Sequence, residues 1–295
     1  MKIAIISGKG GSGKSSITAA LVAMSNDIVA IDCDVDASNL PLLFNHTQVS
    51  EERFASGSAL VVNQDLCIGC GICVDRCAFG ALKTGDNGKV EQIDYMCEGC
   101  GLCERSCPQQ ALKLIPENRS YIRVSSFGHG VMVHGDLHPG DDNSGKMIAR
   151  MREVADEEMK KAGANLQILD GPPGIGCPVL STITGMDCII IVCEPTLSGI
   201  SDLKRAYKVA SSYCKDVNII VNKSDINATN RATILQYCQE KGINIMGELP
   251  FDKRIVEAQI HLQSIVSYAP DSECATTLKD IYQQIEHKRI SELTE

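Results

Sequence analysis

Short apolar runs alternate with longer amphipathic stretches along most of this chain. KIAIIS (2–7) leads into a glycine-rich segment, a helix-compatible stretch follows from Lys14 to about Met24, and IVAIDCD (28–34) is a second apolar run. Further runs are LQILDG (166–171), CIIIVCEP (188–195), VNIIVNK (217–223) and INIMGELP (243–250). Helical patterns lie near 198–214, 227–241, 252–262 and 273–293. The runs are apolar throughout rather than at every second position, so each strand is expected to be covered on both faces. Strand alternating with helix predicts an α/β fold with a doubly wound, mostly parallel sheet.

Residues 60–116 break this rhythm with Cys- and Gly-rich sequence and short alternations. They contain an internal repeat: Cys67, Cys70, Cys73 and Cys77 recur thirty positions later as Cys97, Cys100, Cys103 and Cys107. The expected organisation is a small α+β domain at 60–117 inserted into a larger domain made of 1–59 and 118–295. Around 121–141 one or two strands are expected to return to the main sheet.

Composition narrows the functional classes. With 44% hydrophobic residues in 295 the chain can build a sizeable core, while 4% aromatics and no Trp disfavour an aromatic carbohydrate cleft. A formal charge of −9 argues against nucleic acid or stable membrane association. The C-terminal LKDIYQQIEHKRISELTE is amphipathic but of mixed charge, unlike a basic anchor. The apolar start is too short for a signal peptide or a span, which leads to the expectation of a cytoplasmic protein. Fifteen cysteines suit a reducing compartment when eight of them have metal-ligand spacing. Most of the others lie in apolar segments, where a thiol behaves as a small hydrophobe.

Gly8-Lys9-Gly10-Gly11-Ser12-Gly13-Lys14-Ser15, with Ser16 beyond it, follows the first strand and opens the first helix. The spacing is that of a phosphate-binding loop, in which backbone N–H groups and the helix N-terminus cradle phosphate. Lys14 would reach the β- and γ-phosphates and Ser15 would ligate Mg²⁺. Asp34 and Asp170 follow two later apolar runs, where a water-orienting carboxylate and a magnesium-side carboxylate are wanted.

The second lysine, Lys9 in KGGSGKSS, resembles the deviant Walker loop of the MinD, ParA and nitrogenase iron-protein group. That resemblance covers nearly all of the chain outside 60–117. It implies an ATPase that sandwiches ATP between two copies, with Lys9 reaching the partner's phosphates. Asp34 in DCDVDASNL then corresponds to the residue that positions the attacking water, with Asp36 and Asn39 beside the nucleotide. Asp170 corresponds to the acid that holds a magnesium-bound water, and GPPGIG, with Gly174, to a switch segment. Asn222, Lys223, Pro250 and Asp252 would frame the base. Asn222-Lys223-Ser224-Asp225 also matches the NKxD pattern that selects guanine, so ATP and GTP both stay open, with ATP favoured by the loop.

C-x₂-C-x₂-C-x₃-C occurs twice, a spacing that suits two [4Fe–4S] clusters in which the fourth Cys of each run crosses to the other cluster. The expected sets are Cys67, Cys70, Cys73 with Cys107, and Cys97, Cys100, Cys103 with Cys77. Pro108 follows the last Cys as in bacterial ferredoxins, whereas Ala78 follows Cys77. Two four-thiolate zinc sites are the alternative, although zinc modules space their Cys pairs farther apart.

Cys177 stands seven residues after Asp170, where the nitrogenase iron protein carries a cluster ligand. The second such Cys has no counterpart in Asp142-Asn143-Ser144-Gly145-Lys146, which argues against a bridging cluster. A small packed residue is the favoured reading of Cys177, a redox or cluster-transfer thiol the other. Asn143–Lys146 is a candidate polar loop near the nucleotide or the dimer face. His129, His134 and His138 are read as loop and strand-surface residues. The combined expectation is an ATPase with two [4Fe–4S] clusters and Mg²⁺ that couples homodimer changes to electron transfer to a redox partner. The alternative is a carrier that assembles a metal cofactor on a client, and a membrane- or DNA-positioning ATPase is third.

Overall fold

The computed structural model describes residues 1–55, 57–94, 96–139 and 143–294. In chain order the elements are β1 (Lys2–Ser7), α1 (Lys14–Met24), β2 (Ile28–Asp32), a 3₁₀ turn (Leu40–Leu43), β3 (His46–Phe54), β4 (Gly57–Val62), α2 (Ile72–Asp75), β5 (Leu82–Thr84), β6 (Val90–Gln92) and α3 (Leu102–Ser106). There follow β7 (Leu112–Glu117), β8 (Ser120–Phe127), β9 (Gly130–Asp136), α4 (Ser144–Ala162), β10 (Leu166–Pro173), α5 (Cys177–Ile183), β11 (Cys188–Cys193) and α6 (Leu197–Ala210). The chain closes with β12 (Val217–Asn222), α7 (Ala228–Lys241), β13 (Asn244–Leu249), α8 (Arg254–Ile260), α9 (Ile265–Tyr268) and α10 (Glu273–Thr294).

Two compact units result: Met1–Glu52 with Ile122–Asp136 and Ser144–Glu295, and Arg53–Tyr121 with Leu137–Asn143. Among the described residues the first is organised on a nine-stranded sheet ordered β13-β12-β11-β1-β10-β2-β9-β8-β3. From β13 across to β9 every neighbouring pair is parallel. The uninterrupted apolar runs explain this: β2 and β11 are buried at every position, as strands covered by helices on both faces must be. Ile3, Ile5, Ile168 and Ile190 join Ile17 and Leu21 of α1 and Leu278 and Ile281 of α10 in one core.

β1 lies between β10 and β11, and the chain winds outward from it in both directions. Such a reversal opens a crevice beyond the carboxyl ends of the strands, where open α/β sheets bind ligands. Ser7, Asp32, Asp170, Cys193, Asn222 and Leu249 all end, or nearly end, their strands on that side.

The second unit contains two antiparallel pairs, β4 with β7 and β5 with β6. Its repeat is structural as well as sequential. Gly71 and Gly101, with φ of 76° and 74°, each start a short helix behind a cysteine run. Ala81 N donates to Cys77 Sγ and Ala111 N to Cys107 Sγ, both at 3.3 Å. Arg76 Nη1 reaches Ser106 Oγ at 3.3 Å, joining the two halves. Among the described residues of the whole chain no helix is long and apolar enough to cross a membrane.

Among the elements that go beyond the pattern reading are β3, the long α4, the short α5 and α9. His134 is a correction. It sits on β9 at 8% exposure, with Nε2 3.2 Å from Ser125 Oγ, rather than on the strand surface. The ring of His46 approaches it edge-on. Burial, helped by His46 and the Arg123 charge, holds His134 down to about 4. Its neutral form therefore contributes stability that is full above the ordinary imidazole pKa and is lost as pH falls from about 6.5 towards 4. Urea unfolding at pH 7.5 and pH 5 should show the wild-type chain losing about 2 kcal/mol more than His134→Phe over that interval; equal losses would contradict the assignment.

Candidate functional site

The loop between β1 and α1 wraps its backbone around the start of the helix. Gly11 and Gly13 adopt φ of 77° and 84°, which only glycine takes without strain. At Gly13 a Cβ would lie 2.2 Å from Asn222 Nδ2, so the residue has no room for a side chain. That closeness lets Asn222 Nδ2 donate to Ser12 O at 2.8 Å, tying the end of β12 to the loop. Gly8 is needed for a different reason: a Cβ there would meet Asp202 of α6 at 2.5 Å. Among the described residues, Ser12 Oγ is buried and has no hydrogen-bond partner.

A cavity of about 570 Å³ opens from this loop. Gly10, Gly11, Ser12, Gly13, Lys14, Ser15 and Ser16 form its floor, with Asp34 and Asn39 on one side. Asn222, Lys223, Pro250 and Asp252 stand on the other. Gly8, Lys9, Asp36, Asp170 and Gly174 lie outside its wall. Asp36 is exposed, and Gly174 N donates to Ser7 O at 2.9 Å with φ of 97°. Phe251, which belongs to the Pro250-Phe251-Asp252 segment expected to frame the base, lines the cavity too, and Leu43, Ile255, Val256 and Leu262 add an apolar wall that the sequence reading did not anticipate. Gln259 Nε2 donates to Ser16 Oγ at 2.8 Å, also unforeseen.

Behind the floor, Lys14 Nζ lies 2.8 Å from Asp170 Oδ1, both side chains being nearly inaccessible. Thr18, one turn along α1 from Lys14, donates to the same oxygen at 2.8 Å. β10 and β2 set Asp170 directly opposite Asp32. Asp32 accepts from Asp34 N, Ser38 Oγ and Leu40 N, and so shapes the segment that carries Asp34. Burial and then the Asp170 charge push the Asp32 carboxyl up. Asp34 is also raised, by burial first, against the pull of Lys14. Two buried carboxylates with Lys14 as their shared cation form a donor set that a divalent cation would stabilise.

Asp225 does not line the cavity and accepts from Phe251 N at 2.7 Å. Lys9 leans on Glu194, with Nζ 3.1 Å from Oε2. Sequence reasoning missed Glu194, although an acid directly after a wholly buried strand is a legible signal.

In the second unit each cysteine set lines a small cavity of about 20 Å³. Cys67, Cys70, Cys73 and Cys107 surround one, and Cys77, Cys97, Cys100 and Cys103 the other. Cys70 and Cys100 are the exposed members. The neighbouring thiols Cys107 and Cys67 add to burial in raising Cys73, and Cys97 and Cys100 do the same for Cys103. Among the described residues no three His, Cys, Asp or Glu side chains converge on one point able to hold a single metal ion.

Cys177, at the start of α5, is exposed rather than packed. Asp142 lies outside the described residues. Ser144–Lys146 begin α4, and a Cβ on Gly145 would lie 3.2 Å from Ser181 Oγ, so this stretch packs on α5 and takes no part in the cavity wall.

The profile of the CobQ/CobB/MinD/ParA nucleotide binding domain matches residues 3–265. The chain belongs to this family. It is therefore an ATP-binding P-loop ATPase of MinD/ParA type. It is 35% identical over 288 residues to an uncharacterised protein of Methanocaldococcus jannaschii, covering 97% of this chain and 96% of that one. Among solved structures, a ParA family ATPase from Chlorobium tepidum aligns with a TM-score of 0.58 at 16% identity, covering 96% of this chain and 98% of the other. The septum site-determining protein MinD of Pyrococcus horikoshii, complexed with Mg-ADP, aligns at 0.56 with 16% identity, covering 96% and 95%. At such identities the likeness speaks for the fold.

In this MinD/ParA-type chain, breaking the buried Lys14–Asp170 pair should be costly. Lys14→Met, which strands a buried carboxylate, should lower the urea-unfolding free energy by about 3–5 kcal/mol. Adding Asp170→Asn should recover about half of that, whereas purely additive losses would show that the two side chains do not act as a pair.

Proposed function

We propose that this MinD/ParA-type ATPase couples MgATP-dependent pairing of two copies to electron transfer, through two [4Fe–4S] clusters, to a redox partner protein. The observation that carries the redox half is the sorting of eight cysteines into two cavities, each fed by three from one run and one from the other. That crossed arrangement is what paired cubanes require. The thiols ring a space rather than closing on one point, which suits a cube with one thiolate per iron better than a single zinc ion. Seating a cube in a cavity of this size requires the thiols to swing outward, and the exposed Cys70 and Cys100 have room to do so. Bound clusters would supply one-electron carriers; the chain supplies thiolates, apolar walls and backbone N–H groups from the turns at Gly69, Gly71, Gly99 and Gly101.

At the nucleotide site, the loop N–H groups and Ser12 would cradle phosphate, and Lys14 would exchange Asp170 for the β- and γ-phosphates. Asp34, which lines the cavity, would hold the attacking water in line. Mg²⁺, held by Ser15 and through water by Asp170, would neutralise phosphate charge. Asn222 with Pro250 and Asp252 would frame adenine. Asp225, the residue a guanine reader aims at the base, is instead committed to Phe251 N, which supports ATP over GTP. Lys9 would act across the interface between two copies, where a second charge on the transferred phosphoryl group can be worth on the order of 10³–10⁵ in rate.

Anaerobic reconstitution tests both halves at once. The wild-type chain should bind about eight iron and eight sulfide per chain, and Cys73→Ala or Cys103→Ala about half of that. Asp34→Ala should keep the iron and lose ATP hydrolysis by about 10²-fold or more. An iron-free, colourless wild-type chain would remove the redox reading, and full turnover in Asp34→Ala would remove the assigned role of that carboxylate.

A further inference from the structure

Glu194 follows β11 at the carboxyl edge of the sheet, and its side chain is only 8% exposed. It carries two ammonium groups. Oε2 lies 3.1 Å from Lys9 Nζ, and Oε1 accepts from Lys223 Nζ. The two lysines come from different segments, Lys9 from the phosphate loop and Lys223 from the position after Asn222. Lys223 Nζ also donates to Gly11 O at 3.3 Å. Burial alone would raise the Glu194 carboxyl, but Lys223 and then Lys9 outweigh it and hold Glu194 below the usual carboxylate range.

The surroundings of Lys9 point to a cation held in place by this one carboxylate. Its other partners are neutral, Thr196 Oγ1 and Ser198 Oγ, each at 3.3 Å. Thr196 caps α6, accepting from Gly199 N at 2.9 Å, so Lys9 stands at the positive end of a helix dipole. A helix N-terminus disfavours a cation. Glu194 must therefore supply the attraction that keeps Lys9 there. Should Lys9 move away, Lys223 remains on Glu194, so the buried carboxylate is not left without a partner. Lys9 is the releasable arm and Lys223 the anchor.

We propose that Glu194 is a positioning residue that retains Lys9 within its own chain, so that Lys9 reaches a second copy's phosphates only when it is drawn off Glu194. This rests on the nucleotide-sandwich reading above and adds to it a tether that opposes pairing until ATP is present.

Sedimentation velocity with Mg²⁺ and the non-hydrolysable analogue adenylyl imidodiphosphate tests the tether. Glu194→Gln should move half-maximal self-association to about tenfold lower protein concentration than wild type, the scale of two partly exposed charge pairs, one released in each copy. Glu194→Asp should restore wild-type behaviour, and Lys9→Ala in the Glu194→Gln background should erase the gain. A merely structural role would not produce a gain that depends on Lys9. Ser198→Ala, which removes a neutral partner of Lys9 and leaves every charge in place, should shift association the same way by about threefold, and it decides the matter if Glu194→Gln does not fold. Unchanged or weaker association of the folded variants, or a gain that survives Lys9→Ala, overturns the proposal. A wild-type chain that never associates with the analogue overturns the sandwich reading, and the tether with it.

Discussion

The ion pair between Lys14 and Asp170 joins the first residue of α1 to the end of β10, at the point where the parallel sheet changes winding direction. Few positions could hold two buried charges. The pair is tolerable because Thr18 adds a hydrogen bond and because β1 and β10 are in register, Ile5 standing opposite Asp170. A buried ion pair is weak evidence for stability in itself, since desolvation offsets most of the attraction. Its value here is specificity of position: it keeps a cation and an acid ready at the floor of the phosphate loop. Glu194, after β11 two strands from β10, repeats the device, holding Lys9 and Lys223. The carboxyl edge of the sheet thus places lysines on carboxylates, and a polyanion can compete for both.

The second unit rests on another constraint, the internal repeat. Two runs with the same spacing, helix starts and thiol hydrogen bonds make two half-sites, and each half lends its fourth cysteine to the other. The apolar residues Leu60, Leu82, Val90 and Leu112 make a small core of their own with Cys73. On the cluster reading proposed above, a unit with so few large side chains would gain much of its order from bound clusters, so that folding and cluster loading would be linked.

Much of this was legible in the residue pattern. Continuous apolar runs gave the parallel strands because burial on both faces leaves no alternation to read, and the loop glycines marked α1 because φ near +80° and a 2.2 Å approach admit nothing else. Other features were hidden. The outlying β3 is mostly exposed and polar, so it lacks the apolar signature of the central strands. α4 is amphipathic but starts beside a polar loop that obscures its boundary. His134 looked like a surface residue because its partners, Ser125 on β8 and His46 on β3 beyond it, are brought to β9 only by the sheet. Glu194 and Thr18 matter through partners distant in sequence, and the apolar wall of Leu43, Ile255, Val256 and Leu262 is assembled only by the fold.

The nucleotide half of the account depends on one exchange, Lys14 leaving Asp170 for phosphate. A crystal structure of the wild-type chain grown with Mg²⁺ and a non-hydrolysable ATP analogue would observe it directly. The account predicts Lys14 Nζ within hydrogen-bonding distance of a β- or γ-phosphate oxygen and Asp170 turned to the magnesium water shell. Lys14 still paired with Asp170 while the analogue fills the cavity would contradict it.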